Sequence, residues 1–158
     1  MKRNVINLYE YILNVPDLQI ENVKLLLECG ANPNICIAPP SGYIVDAAAE
    51  RNRLDVLICL CESGAKLKGI DPDSMDHLYY AIKNNNIDMV KYLTENGATY
   101  TVAGGDLNSI LVSISLERYE IAEYLASKGV KVSKSEYEWF KKQAKNDSQL
   151  IHAQKFVM

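Results

Sequence analysis

Little in this sequence is equipped for chemistry. Its 158 residues hold only two histidines, one tryptophan, two phenylalanines and four cysteines. Cys29, Cys36, Cys59 and Cys61 are too few and too unevenly spaced for a disulfide scaffold. Eight glycines and five prolines exclude collagen-like and low-complexity chains. No apolar run approaches the roughly 18–20 residues that span a bilayer, and the longest, Ile110 to Leu116, carries two serines. Positive charge is also short, with 17 Lys and Arg against 20 Asp and Glu, a net charge of −3. No global field gathers phosphates or anionic lipid, so neither nucleic acid nor a membrane is expected as a partner. Met1-Lys2-Arg3 is basic, but Asn7, Glu10 and Asn14 interrupt the next stretch and no cleavage site appears, so no export signal is read. A soluble protein in a reducing, cytoplasmic setting is the expectation. What is plentiful is apolar and charged side chain, 48% and 23%, the balance of one globular domain that buries a real core.

The chain repeats itself. Four blocks recur: Ile20 to Ala31, Leu54 to Ala65, Ile87 to Ala98 and Tyr119 to Val130. Their closing glycines, Gly30, Gly64, Gly97 and Gly129, are spaced 34, 33 and 32 residues apart. At that spacing Leu26, Leu60, Leu93 and Leu125 align, as do the acidic Glu21, Asp55, Asp88 and Glu120. Each column has a physical reason. A carboxylate suits the start of a helix, where unpaired amides and the positive dipole end meet it. Apolar residues at three- and four-residue steps, such as Ile87, Val90 and Leu93, share one helix face. A glycine then ends the helix in a left-handed conformation that a Cβ would resist.

Upstream of each block lies a shorter helical segment: Asn4 to Leu13, Tyr43 to Arg51, His77 to Asn84 and Ser109 to Leu116. Small inward residues such as Ala47, Ala48 and Ala49 permit close helix packing. Asn52 and Asn85 stand in the turns between paired helices, as the best non-glycine occupants of a left-handed turn, with Glu117 a less comfortable third. Turn-rich stretches, Asn32 to Gly42, Lys66 to Met75 and Thr99 to Asp106, separate the units. Ser133-Lys134-Ser135-Glu136 matches a capping box, and a helix from Lys134 to about Lys145 is expected after it. Tyr137, Phe140 and Ala144 are expected to face the stack, with Lys141, Lys142 and Lys145 toward water. Asp147-Ser148 reads as a break, with Leu150, Ile151 and Phe156 closing a final pair.

This arrangement resembles the ankyrin repeat family, whose unit is a pair of antiparallel helices followed by a protruding β-turn loop. The carriers are the Leu-Asp-Val-Leu-type block and the closing Gly-Ala, over roughly Asn4 to Val132. The family's Thr-Pro-Leu-His is replaced by Tyr43-Ile44-Val45-Asp46, Asp76-His77-Leu78-Tyr79 and Asn108-Ser109-Ile110-Leu111, so that helix cap is not reproduced. Other helical-pair repeats of similar period remain open, tetratricopeptide repeats first, though they lack the Gly-Ala stop and the long polar loop. The resemblance implies an all-α fold: a solenoid of stacked helix-turn-helix units with projecting β-turn loops and a helical C-terminal cap. One domain would fill residues 1–158, with units near 1–31, 32–65, 66–98 and 99–130 and a capping unit at 131–158.

Catalytic constellations are thin. His77 and His152 read as surface or partly packed residues. Cys59 and Cys61, two apart on a helix, diverge by roughly 200° and cannot chelate one metal together, so they read as core thiols. Ala103-Gly104-Gly105-Asp106 lacks the lysine of a phosphate-binding loop and reads as a hairpin tip, and Asp71-Pro72-Asp73 as a solvated turn. No catalytic residue, metal ligand or cofactor is assigned.

Stacked helical pairs should instead present a wide, stiff concave face without deep pockets, suited to a protein or peptide. Aligning units on their glycines picks out positions that packing does not dictate. These are Pro39, Pro40, Asp73, Met75, Asp106 and Leu107 at loop tips, and Glu50, Arg51, Lys83, Asn84, Ser115 and Leu116 at the ends of the first helices. Tyr43 and Tyr79 join them as amphipathic anchors. The function expected is that of a non-catalytic interaction module, monomeric when free, such as an immunity protein or inhibitor, or a bacterial or viral effector. The alternative is a small hydrolase or transferase with an unrecognised site, which a pocket holding His77 and two converging carboxylates would revive.

Overall fold

A computed structural model describes residues 8–36, 43–67, 77–102 and 107–158. Four short helices alternate with four longer ones. The short ones are α1 (Leu8–Asn14), α3 (Ile44–Glu50), α5 (His77–Lys83) and α7 (Ser109–Ser115). The longer are α2 (Ile20–Glu28), α4 (Leu54–Glu62), α6 (Ile87–Glu95) and α8 (Tyr119–Ser127). The chain continues into α9 (Lys134–Lys141) and α10 (Asp147–Gln154). Between α6 and α7 the two-residue strands β1 (Thr101–Val102) and β2 (Leu107–Asn108) pair antiparallel, flanking the stretch read as a hairpin tip.

The aligned columns explain the local geometry. Gly30, Gly64, Gly97 and Gly129 all have φ between 90° and 94°. In each block the next amide reaches back to the aligned leucine carbonyl: Ala31 to Leu26, Ala65 to Leu60, Ala98 to Leu93 and Val130 to Leu125, at 2.9–3.2 Å. This six-residue closure satisfies carbonyls that a helix end leaves bare. The same leucines project side chains inward, and Leu60, Leu93 and Leu125 are fully buried. Within the second, third and fourth pairs the turn uses a second left-handed residue: Asn52 at φ 56°, Asn85 at 55° and Glu117 at 60°. Glutamate gains no local hydrogen bond from that conformation, whereas asparagine tolerates it. Glu117→Asn is therefore expected to stabilise the protein by about 1 kcal/mol, raising the melting temperature by about 3 °C in a calorimetric scan.

First helices pack side by side, α1 on α3, α3 on α5 and α5 on α7, while α2 packs on α4 and α6 on α8. Alanine makes the closest approach possible: Ala48, Ala49 and Ala81 are completely buried, and every residue of α3 except Glu50 is inside. Ile110, Ile114, Leu57, Val90 and Ile121 extend that core along the stack.

The carboxyl end departs from the repeat. Its capping box forms as expected, with the Ser133 amide donating to Glu136 at 2.7 Å and the Glu136 amide to Ser133 Oγ at 3.2 Å. However, α9 stops at Lys141, and Asp147-Ser148 opens α10 instead of breaking the pattern, because Asn146 accepts from the Gln149 amide as an N-cap. The buried residues of α10 are Gln149 and Ala153, whereas Ile151 is 60% exposed and so does not close a final pair. Helix α10 packs on α7, and Gln149 Nε2 donates to the carbonyl of Ser115 at 3.2 Å, so α10 begins where α7 ends. His152 stacks on Tyr119 with ring centroids 4.0 Å apart.

Candidate protein-binding face

Three of the expected positions form one row. Glu50, Lys83 and Ser115 are the final residues of α3, α5 and α7, and all three are exposed. Tyr79 is half-buried beside them, its ring set edge-on to Tyr80 at 5.8 Å, and the Lys83 ammonium lies 5.9 Å from the Tyr80 ring centre. Tyr9 of α1 lies at the same end of the molecule. Burial, reinforced by the nearby Glu50 and Asp46 carboxylates, pushes its phenol above the ordinary value. The row therefore alternates charge, aromatic surface and hydroxyl on closely packed helices, which holds each side chain at a fixed spacing.

The next row has a different employment. Arg51 follows α3 and turns back, its Nη1 donating to the carbonyls of Ile12 at 2.8 Å and Val15 at 2.6 Å, and Nη2 to Pro16 at 3.2 Å. Asn84 follows α5 and donates to Ala49 and Glu50 at 2.9 and 3.2 Å. Both side chains, expected as partner contacts, are occupied in fastening the end of the preceding first helix. Leu116, at the same place after α7, carries no such group and packs half-buried against the core. Tyr43 is a further correction: it bridges antiparallel to Cys36 and is only 9% exposed, which removes its ring from the surface. Pro39, Pro40, Asp73, Met75 and Asp106 lie outside the described residues, and Leu107 is described only as backbone in β2, opposite Val102.

His77 is not a surface residue either. Its Nδ1 lies 3.1 Å from Asp46 Oδ1, and the two residues are 2% and 5% exposed. The pair joins α5 to α3 through the core, with one carboxylate and not two. Burial raises the thiol pKa of both Cys59 and Cys61, and Tyr92 beside Cys61 is itself pushed up to about 12, first by burial. Among the described residues no group of three or more His, Cys, Asp and Glu is placed to hold a metal ion, and no helix is long and apolar enough to cross a membrane.

Beside the cap the surface is less flat than expected. A cleft of about 630 Å³ opens between α7 and α9. Leu111 and Val112 line one side, Trp139 and Phe140 the other, with Ser115 and Gln143 among its polar groups. Two sequence features produce it. Leu111 and Val112 stand where the preceding unit has Tyr79 and Tyr80, counted back from Gly129 and Gly97, so less bulk fills the space. In addition, α9 starts five residues after Gly129, while α10 takes the contact with α7. Trp139 is 51% exposed on the wall. The four-residue spacing of Ser135 and Trp139 marks the cleft side of α9 in the sequence, next to the stack-facing Phe140, which lines the cleft as well.

Comparison with known proteins agrees with the architecture. Palmitoyltransferase ZDHHC17 of Homo sapiens is 42% identical over 50 residues, which is 32% of this chain and 8% of that protein. Palmitoyltransferase ZDHHC17 of Rattus norvegicus matches at the same identity and shares. Palmitoyltransferase Hip14 of Drosophila melanogaster is 32% identical over 69 residues, 44% of this chain and 11% of that protein. The chain thus spans about a tenth of the length of the curated relatives it matches. The family model for ankyrin repeats (3 copies) matches residues 14–104 and 47–136. Helix pairs closed by left-handed glycines at this period, together with a family match over most of the sequence, place the chain in the ankyrin repeat family, a family of protein-interaction modules.

Proposed function

We propose that this protein is a non-catalytic adaptor or inhibitor that captures a protein or peptide with the concave face and loop tips of a capped solenoid. One observation carries the reading: Glu50, Lys83 and Ser115 stand exposed in a row on helices whose other residues, the half-buried Tyr79 and Tyr80 apart, are buried. A rigid row of unlike groups beside tyrosines suits a folded surface or an extended peptide. Four helical pairs within residues 1–130, a cap at 131–158, a free monomer and an intracellular site of action belong to the same proposal. So do the loop-tip contacts Pro39, Pro40, Asp73, Met75, Asp106 and Leu107. An immunity protein covering a toxin and an effector engaging a host protein both fit. A toxin encoded beside this protein supports the first, and a host-derived interactor the second.

The enzyme alternative gains nothing from His77, whose ring and single carboxylate are buried away from the cleft lining. Nor do the palmitoyltransferases supply a reaction, since the likeness covers 8–11% of them. The test is affinity capture from the native source followed by mass spectrometry. Glu50→Lys, Tyr79→Ala and Lys83→Glu combined should remove the captured protein, with helicity intact and melting within a few degrees of wild type. Undiminished capture by that variant refutes the assignment of this face.

A further inference from the structure

We infer that the cleft between α7 and α9 receives an arginine side chain presented by a peptide segment of the protein partner. The inference rests on the reading of this chain as a protein-binding module and names the chemistry of one of its contacts. Of the residues that line the cleft, Glu136 alone is ionisable. Its carboxylate accepts from the Ser133 amide at 2.7 Å, the Ser133 hydroxyl at 2.6 Å and Asn108 Nδ2 at 3.2 Å, all neutral donors. A carboxylate offers about four acceptor sites, so one remains on Oε1. Burial by itself would raise its pKa, but those three hydrogen bonds outweigh burial and hold the group below the usual carboxylate range. No described lysine or arginine pairs with it; the ion pairs of the described residues lie elsewhere.

The aromatic wall points the same way. Lys83, Lys91, Lys128 and Lys141 each lie over a tyrosine ring at 5.2–6.0 Å. Trp139, whose indole is the better cation acceptor, has none over it among the described residues and is 51% exposed. A guanidinium fits this combination better than an ammonium, because its plane stacks on the indole while an edge N–H donates to the carboxylate. Its three methylenes would lie on Leu111 and Val112. A volume of about 630 Å³ exceeds one side chain and leaves room for the flanking residues of an extended segment. The net charge of −3 favours a basic segment over an acidic one.

The chain has a single tryptophan, so its fluorescence reads this cleft directly. Blocked pentapeptides identical except for a central arginine, lysine or leucine are titrated into the intact protein to millimolar concentration. The arginine peptide is expected to shift Trp139 emission saturably, the lysine peptide more weakly and the leucine peptide not at all. Glu136→Gln, which keeps the capping box, should weaken the arginine peptide about tenfold. Calorimetric titration of Trp139→Leu should show a comparable loss while circular dichroism stays unchanged. A saturable leucine response indifferent to Glu136→Gln makes the cleft an apolar anchor site and overturns the inference. Emission that depends on protein concentration, with dimer in sedimentation, assigns the cleft to a second copy and overturns it as well, as does silence with every peptide. Partner capture lost in the Glu50, Tyr79 and Lys83 variant without an arginine response sinks this inference alone. An arginine response with capture undiminished in that variant sinks the concave-face assignment alone.

Discussion

Arg51→Met should unfasten the amino-terminal pair, costing about 3 kcal/mol and accelerating hydrogen exchange in α1 and α2 before the rest of the molecule responds. The side chain keeps its length and apolar stem, so the loss is the guanidinium and its bonds to Ile12, Val15 and Pro16. Two of those bonds are part-buried, and hydrogen bonds from a charged donor each contribute about 1.5–3 kcal/mol. Removing them takes this donor from the carbonyl of Ile12 in the last turn of α1 and from those of Val15 and Pro16 just after it. Because a repeat stack is held by nearest-neighbour interfaces, the damage should stay local. Exchange measured by mass spectrometry would show α1 and α2 losing protection while α6 to α8 keep theirs. A uniform loss would mean that this arginine serves the whole stack instead.

The second large effect concerns Asp46 and His77. Asp46→Leu leaves His77 Nδ1 without its partner where the ring is 2% exposed, and is expected to cost about 2–3 kcal/mol. His77→Leu alone strands the carboxylate, which is costlier to bury unpaired, and should lose about 3–5 kcal/mol. The double variant Asp46→Leu with His77→Leu should recover most of either loss, since apolar residues of similar volume often replace a buried polar pair without penalty. Denaturant melts of the four proteins form a double-mutant cycle. Additive losses would show that the 3.1 Å contact contributes nothing of its own to stability.

How much of this is legible in the sequence depends on whether a feature repeats. Leu26, Leu60, Leu93 and Leu125 announce themselves because every block must spend the same side chain on the core and the same carbonyl on its glycine closure. Asn52, Asn85 and Glu117 are readable as left-handed turns for a similar reason, since few residue types adopt that backbone. Arg51 and Asn84 mislead, because an unaligned polar residue at a helix end looks the same whether it faces a partner or a neighbouring helix. Only the distances to Ile12 and Ala49 separate the two. The pairing of His77 with Asp46 joins residues 31 apart and leaves no periodic trace. Trp139 escapes assignment because periodicity describes how α9 meets the stack, whereas the cleft arises from how α10 displaces it.

The fasteners share an orientation. Arg51 reaches back to α1, Asn84 to α3 and Gln149 to α7, so each donor comes from later in the chain than its acceptor. Like overlapping roof tiles, three of the four first helices are secured by an element laid after them. On the ribosome, α1 waits for residue 51 and α7 for residue 149 before their last carbonyls are met by protein and not by water.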